Sequence, residues 1–146
     1  MSSDDFYLNV AYALSCCQLV EQELKLYITE ALELAKKCIG KRMPFGFSGD
    51  DYANASLERL IEAFRRLTDN KQLVQDLNRF KEERNFLSHQ GITHCLDYDG
   101  ELFQTIAQDF RRRLDKIQIE APRLRKDIHE EGNKFRGFLW FEEFPD

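Results

Sequence analysis

A long heptad pattern near the start of the chain limits the possible folds more than any other feature. Apolar residues recur every seven positions, and a second set follows at an offset of three: Val10, Cys17, Leu24, Ala31 and Cys38, with Ala13, Val20, Tyr27 and Leu34. This spacing places both sets on one face of an α-helix. It predicts a long amphipathic helix over about Asp5 to Cys38, packed as the wall of a helical bundle or, alternatively, as a dimer seam.

The remaining sequence predicts three further helices and one long loop. The loop covers Lys41 to Ala53, where Pro44, Gly46 and Gly49 interrupt the apolar pattern. The predicted helices are about Asn54 to Thr68, Lys71 to Gln90 with a stop at Gly91, and a fourth helix that follows a turn at Asp99-Gly100 and starts near Phe103. Pro122 should kink or restart this last helix, because proline lacks the backbone N–H that a helix interior needs.

The C-terminal segment 132–146 combines five aromatic residues with acidic ones: Phe135, Phe138, Trp140, Phe141 and Phe144, with Glu142 and Glu143. The pattern is too interrupted for a regular amphipathic helix. We therefore expect an extended, aromatic-rich arm, docked either on its own bundle or on a partner.

Composition supports a single folded domain over residues 1–146. Apolar residues make up 42% of the chain and charged residues 32%, and prolines and glycines are few. The predicted fold is all-α, an antiparallel bundle of four to five helices. The acidic start and the lack of a long apolar run predict a cytoplasmic protein with no membrane contact. The four cysteines contain no C-x-x-C pair, so we expect reduced thiols.

Polar residues cluster where the third predicted helix should face the core. Arg84 falls within an apolar arc formed by Leu73, Leu77, Phe80 and Leu87. Asn85, Ser88 and His89 extend this polar region along one side of the same helix. An arginine on a core-facing arc needs a partner or a function.

The string Arg84-Asn85-Phe86-Leu87-Ser88-His89 matches R-N-x-x-x-H, and in this helical context the chain resembles the HEPN superfamily (higher eukaryotes and prokaryotes nucleotide-binding). The resemblance implies a metal-independent ribonuclease without cofactors, in which two copies of the motif face each other across the cleft of a homodimer. It also implies a role in toxin-antitoxin, stress or phage-defence responses. Gly91 stands where some members carry a tyrosine for nucleotide modification, which puts that kind of regulation in doubt.

The residue types suit such chemistry, and the expected catalytic residues are Arg84, Asn85 and His89. Cleavage of RNA without metal uses the ribose 2′-hydroxyl as nucleophile, so protons must move and phosphate charge must be stabilised. His89 can transfer the proton, and a C-terminal helix dipole would favour its charged form. Arg84 offers bidentate phosphate binding, and Asn85 can orient the histidine or contact phosphate. A second copy of His89 would supply the other proton carrier.

A structural alternative accounts for the same residues. Arg84 can pair with a carboxylate of Glu82, Glu83 or Glu21, and His89 can be an ordinary residue near a helix end. The chain would then be a noncatalytic helical module that binds a protein partner.

Basic residues are concentrated in the fourth helix: Arg111, Arg112, Arg113, Lys116, Arg123, Arg125 and Lys126. This stretch is either a solvated face or a phosphate-binding rim. With Ser88, we expect Arg111, Arg112 and Lys116 to bind RNA, and a cognate antitoxin is a further possible partner. A zinc site at His89, His94 and Cys95 is disfavoured because the chain lacks four-ligand spacing.

Overall fold

The computed structural model describes the backbone of residues 3–96 and 101–144, and the side chains of residues 4–90 and 109–144. The predicted turn at Asp99-Gly100 lies outside the described residues. The described chain contains four α-helices and a short 3-10 helix: α1 Ser3–Ile39, the 3-10 helix Gly49–Tyr52, α2 Leu57–Arg65, α3 Lys71–Leu96 and α4 Glu101–Phe141. No strand occurs in this part of the chain, which confirms the all-α class for it. None of these helices carries an apolar stretch that could cross a membrane.

The first helix confirms the prediction to within two residues at each end. Asp4 and Asp5 occupy its first turn, and Lys36 and Lys37 occupy its last, so both ends complement the helix dipole. Gly40 ends the helix with a φ of 58° and donates its N–H to the Lys36 carbonyl at 3.0 Å. A left-handed residue at this position is a usual helix stop, and glycine adopts it without steric cost.

Side-chain pairs define the directions of the three long helices. Pairs between α1 and α4 advance together along both helices: Phe6 with Phe110, Glu23 with His129, and Glu30 with Arg136. Pairs between α3 and α4 run in opposite order: Asp76 with Arg123, and Glu83 with Arg113. Helix α3 is therefore antiparallel to α4, whereas α1 and α4 run parallel. The predicted antiparallel packing describes α3 and not the α1–α4 pair.

The second helix is shorter than the predicted span from Asn54 to Thr68. Ser56 caps it, since its hydroxyl accepts the backbone N–H of Arg59 at 3.2 Å. Helix α2 packs on both α1 and α3, but it has 9 residues where they have 37 and 26. It therefore covers the groove between α1 and α3 over only part of its length.

The fourth helix narrows one prediction and corrects another. It continues through Pro122 without a restart, and the buried neighbours Ala121 and Leu124 hold it against the core on either side. The C-terminal segment is not an extended arm, because residues 132–141 form the last turns of α4. In these turns Leu139 is buried, while Trp140 and Phe141 are exposed.

A buried ion pair joins the C-terminal halves of α1 and α4. The side chains of Glu30 and Arg136 are each only 7% exposed, and Arg136 Nε donates to both Glu30 carboxylate oxygens at 3.0 Å. Arg136 Nη1 also donates to the His129 carbonyl at 2.8 Å and to Asn133 Oδ1 at 2.7 Å. Because buried charges are tolerated only when paired, this contact requires the two helices to keep their register.

Candidate functional site

The motif surface, defined as Arg84, Asn85, Ser88 and His89, lies on α3. As predicted from their spacing, Leu73, Leu77, Phe80 and Leu87 of this helix are buried in the core. The helix does not stop at Gly91 and continues to Leu96. His89 is therefore about two turns from the last helical residue. The predicted action of the C-terminal dipole on His89 is wrong, since that effect is confined to the last turn.

Arg84 points towards α1 and has a carboxylate nearby. Its Nε lies 3.6 Å from Glu21 Oε1, and its side chain is 36% exposed. This separation is an ion pair but is too long for a hydrogen bond, and Nε is buried without a hydrogen-bond partner. Burial raises the pKa of the neighbouring Cys17 thiol to about 12, against the opposing effect of the Arg84 charge. The guanidinium thus lies at the edge of the core, with its charge only partly balanced.

The other three residues of the motif surface face outward from α3. Asn85 and His89 are exposed and Ser88 is half-buried. On the helical wheel they follow the flank that carries Asn78 and Lys81, and these two residues line a surface depression together with α2. The motif surface therefore lies where the α1–α3 groove continues beyond α2. The structure thus places Asn85, Ser88 and His89 on one accessible flank, whereas Arg84 lies at the contact with α1.

A second arginine, Arg113, binds the opposite flank of α3. Arg113 of α4 donates to Glu83 from Nε at 2.8 Å and from Nη2 at 3.3 Å. Its guanidinium also lies 3.4 Å from the centre of the Phe86 ring, a cation–π contact. Glu83 is therefore engaged by Arg113, and Glu21 is the residue that pairs with Arg84. The spacing of Glu83 and Phe86 placed them on one flank, but nothing local in the sequence identified Arg113 as their partner.

The basic residues of α4 do not form one continuous rim. Arg113, Arg123 and Lys126 each have a carboxylate partner. Arg111 shares the flank of α4 that carries His129 and Arg136, whose partners belong to α1. Arg112 is exposed towards solvent, and Lys116 lies on the α3 side. Of the predicted RNA-binding residues of this helix, Arg112 and Lys116 are therefore neighbours one turn apart, whereas Arg111 lies on a different flank.

A polar groove between α3 and α4 was not anticipated from the sequence. It holds a cavity of about 140 Å³ lined by three carboxylates, Asp76, Glu83 and Glu120, and by three cations, Arg79, Lys116 and Arg123. Because these charges balance and both arginines are paired with carboxylates, the groove has no excess of positive charge to attract phosphate. Its residues come from two helices whose register the sequence does not reveal.

Metal-ligating side chains are not grouped among the residues whose side chains are described. In that part of the chain no set of three or more histidine, cysteine, aspartate or glutamate side chains could hold a metal ion. The side chains of His94 and Cys95 lie outside it.

Comparisons with protein-family models, with curated proteins and with solved structures found no match to this chain. The resemblance to the HEPN superfamily thus depends on the motif and its setting in a helical chain.

Proposed function

We propose that the chain is a metal-independent endoribonuclease of HEPN type that acts as a homodimer in a toxin-antitoxin, stress or phage-defence response. The observation that carries the proposal is the exposed flank of α3 beyond α2. There Asn85 and His89 are open to solvent on the same stretch of helix as Arg84, whose side chain is 36% exposed. A phosphate entering the groove would meet both a positive charge and a proton carrier.

The proposed reaction is transesterification within RNA. The ribose 2′-hydroxyl attacks the adjacent phosphorus and loses its proton, the P–O5′ bond breaks, and the leaving 5′-oxygen gains a proton. One copy of His89 accepts the first proton, and the second copy donates the other. Arg84 stabilises the charge on the phosphate oxygens, and Asn85 orients the reacting groups. The products are a 2′,3′-cyclic phosphate and a free 5′-hydroxyl.

The direct test is cleavage of mixed single-stranded RNA in the presence of EDTA. We expect cleavage by the wild type, with a rate lowered by roughly 100-fold or more in His89→Ala, the range typical of a lost acid or base. Arg84→Lys should also lose activity, because lysine cannot make a bidentate phosphate contact. The 5′ ends of the products should be hydroxyls.

Matched controls are available on other elements of the same chain. His129→Ala removes an exposed histidine that pairs with Glu23, and Arg66→Ala removes an exposed arginine at the end of α2. Both should cleave RNA as fast as the wild type. The nuclease proposal fails if the wild type does not cleave, or if His89→Ala and His129→Ala have equal rates.

A second candidate function is a noncatalytic helical module that binds a protein partner. It is favoured by the Arg84–Glu21 ion pair, since Glu21 competes with phosphate for the same guanidinium. The two functions predict opposite results for Glu21→Gln. If Arg84 binds phosphate, the variant should bind labelled single-stranded RNA more tightly in an anisotropy titration. If Arg84 is only structural, RNA binding should not change and the variant should unfold at lower temperature.

A further inference from the structure

The outward face of α1 carries a second heptad pattern, opposite the one that packs in the core. Four large apolar residues on this face are strongly exposed: Leu8 at 65%, Tyr12 at 60%, Leu19 at 45% and Leu26 at 43%. Ser15 and Gln22 complete a series with alternating spacings of four and three. We call these six residues the outer stripe. Such spacing aligns side chains along one side of a helix and is typical of a helix–helix seam.

The surroundings of the outer stripe are unusual for a solvated helix. Residues 6–20 contain no charged side chain on any face of the helix. Single exposed leucines are common, but this row of apolar side chains, about 27 Å long from Leu8 to Leu26 and free of charged neighbours as far as Val20, forms an apolar patch. Such patches normally mark a contact with another molecule.

We propose that the outer stripe is a two-fold interface at which a second copy of the chain docks through an antiparallel α1–α1 contact. The stripe is self-complementary about an axis near Cys17, midway between Leu8 and Leu26 along the helix. This axis opposes Leu8 to the partner copy's residue 26, Tyr12 to its residue 22 and Ser15 to its residue 19. The first pair is two leucines, the second brings a hydroxyl to an amide, and the third sets a small side chain against a large one. Such combinations let two helices pack closely.

The charges at the start of α1 and the area of the outer stripe also favour an antiparallel contact with a second copy of the chain. A parallel pair would place Asp4 and Asp5 beside the same two residues of the second copy and would align the helix dipoles. The antiparallel pair separates these charges and opposes the dipoles. A stripe of this length, packed against an equal one, buries roughly 600 Å² on each copy, at the lower end of specific interfaces.

The antiparallel geometry also locates the motif surface within the dimer, a consequence that rests on the proposed function. A two-fold axis perpendicular to an antiparallel helix pair keeps the same flank of both helices on one side. Helix α3 lies on one flank of α1, with Arg84 beside Glu21, about one turn from the axis. Both motif surfaces therefore lie on the same side of the dimer, each on the α3 that flanks its own α1. One RNA strand can then contact both copies.

Sedimentation or light scattering tests the interface without any RNA. Wild type should be a dimer at micromolar concentration, and Leu8→Glu or Leu26→Lys should each weaken dimerisation by about 100-fold or more. Ile119→Glu is the matched control, because this residue is 73% exposed on α4, away from the stripe. It should leave the dimer intact. Circular dichroism should show unchanged helix content in all variants, since each replaced side chain is exposed.

The double variant Leu8→Glu with Leu26→Lys tests the direction of packing. In the antiparallel dimer each new carboxylate faces a new ammonium, so dimerisation should recover relative to both single variants. A monomeric wild type, or a dimer insensitive to all three variants, overturns the interface. Loss in the single variants without recovery in the double overturns the antiparallel register. RNA cleavage by a dimer that these variants do not affect would refute the interface alone, and a stripe-dependent dimer without cleavage would refute the nuclease alone.

Discussion

Replacement of Arg136 by methionine should destabilise the fold more than any surface change. The substitution keeps much of the side-chain length but leaves the Glu30 carboxylate, which is 7% exposed, without its partner. Breaking a buried ion pair by removing one member costs about 3–5 kcal/mol. The hydrogen bonds to the His129 carbonyl and Asn133 are lost as well. For a chain of this size the melting temperature should fall by roughly 10 °C.

Urea unfolding followed by circular dichroism measures this loss. Arg65→Met is the control, since it breaks an ion pair with Glu62 whose side chains are 54% and 49% exposed. It should leave the unfolding free energy unchanged within error. The double variant Glu30→Met with Arg136→Met should recover most of the stability, because no unpaired charge remains buried. If Arg136→Met costs no more than Arg65→Met, the two helices are not held together by a buried ion pair and the reasoning is wrong.

Two glycine substitutions in α4 should change stability in opposite directions, and one substitution in α3 should change how stability depends on pH. Gly132→Ala should destabilise the fold by roughly 1–3 kcal/mol, because a Cβ there would lie 2.5 Å from Arg136 Nη2. Gly137→Ala on the same helix places its Cβ in open space and should stabilise the fold by about 0.5–1 kcal/mol; thermal melts compare the two variants. Burial alone would raise the pKa of Asp76, but hydrogen bonds from Gln72 and two arginines outweigh it and lower the pKa below 3.8. The carboxylate therefore stabilises the fold above that pH and loses its effect below it, so Asp76→Asn should flatten the fall in melting temperature between about pH 4 and pH 2; an unchanged fall would contradict this.

Local periodicity explains which helices could be predicted from sequence. The heptads of α1 and the core residues of α3 repeat within one segment, so the buried face of each helix can be predicted from its own sequence. The end of α4 has no such repeat. Gly132 and Gly137 weaken its helical signal, and Glu30 compensates through a contact more than 100 residues distant in sequence. Pro122 is likewise accommodated because buried neighbours on both sides hold the helix against the core.

In the candidate site, too, local features could be predicted from the sequence and contacts between helices could not. That Arg84, Asn85, Ser88 and His89 share one flank follows from helix geometry alone, and the sequence predicts it. The partner of Arg84 depends on the register between α1 and α3. The sequence offered three acidic residues, and only packing selects Glu21. The scattered directions of the basic residues on α4 have the same origin, because a run of charges says nothing about which neighbouring helix each one meets.

The short length of α2 determines which part of α3 is exposed. Val74 and Asn85 are separated by eleven residues, about three helical turns, so they occupy the same flank of α3. Val74 is buried, whereas Asn85 is exposed. If α2 extended along the whole groove, it would enclose Asn85 and His89, and each polar group left unpaired would cost about 1–3 kcal/mol. The change from apolar to polar residues along one flank of α3 therefore matches the point where α2 stops covering it. A longer α2 would require apolar residues in place of Asn85 and His89, and the motif surface would be covered.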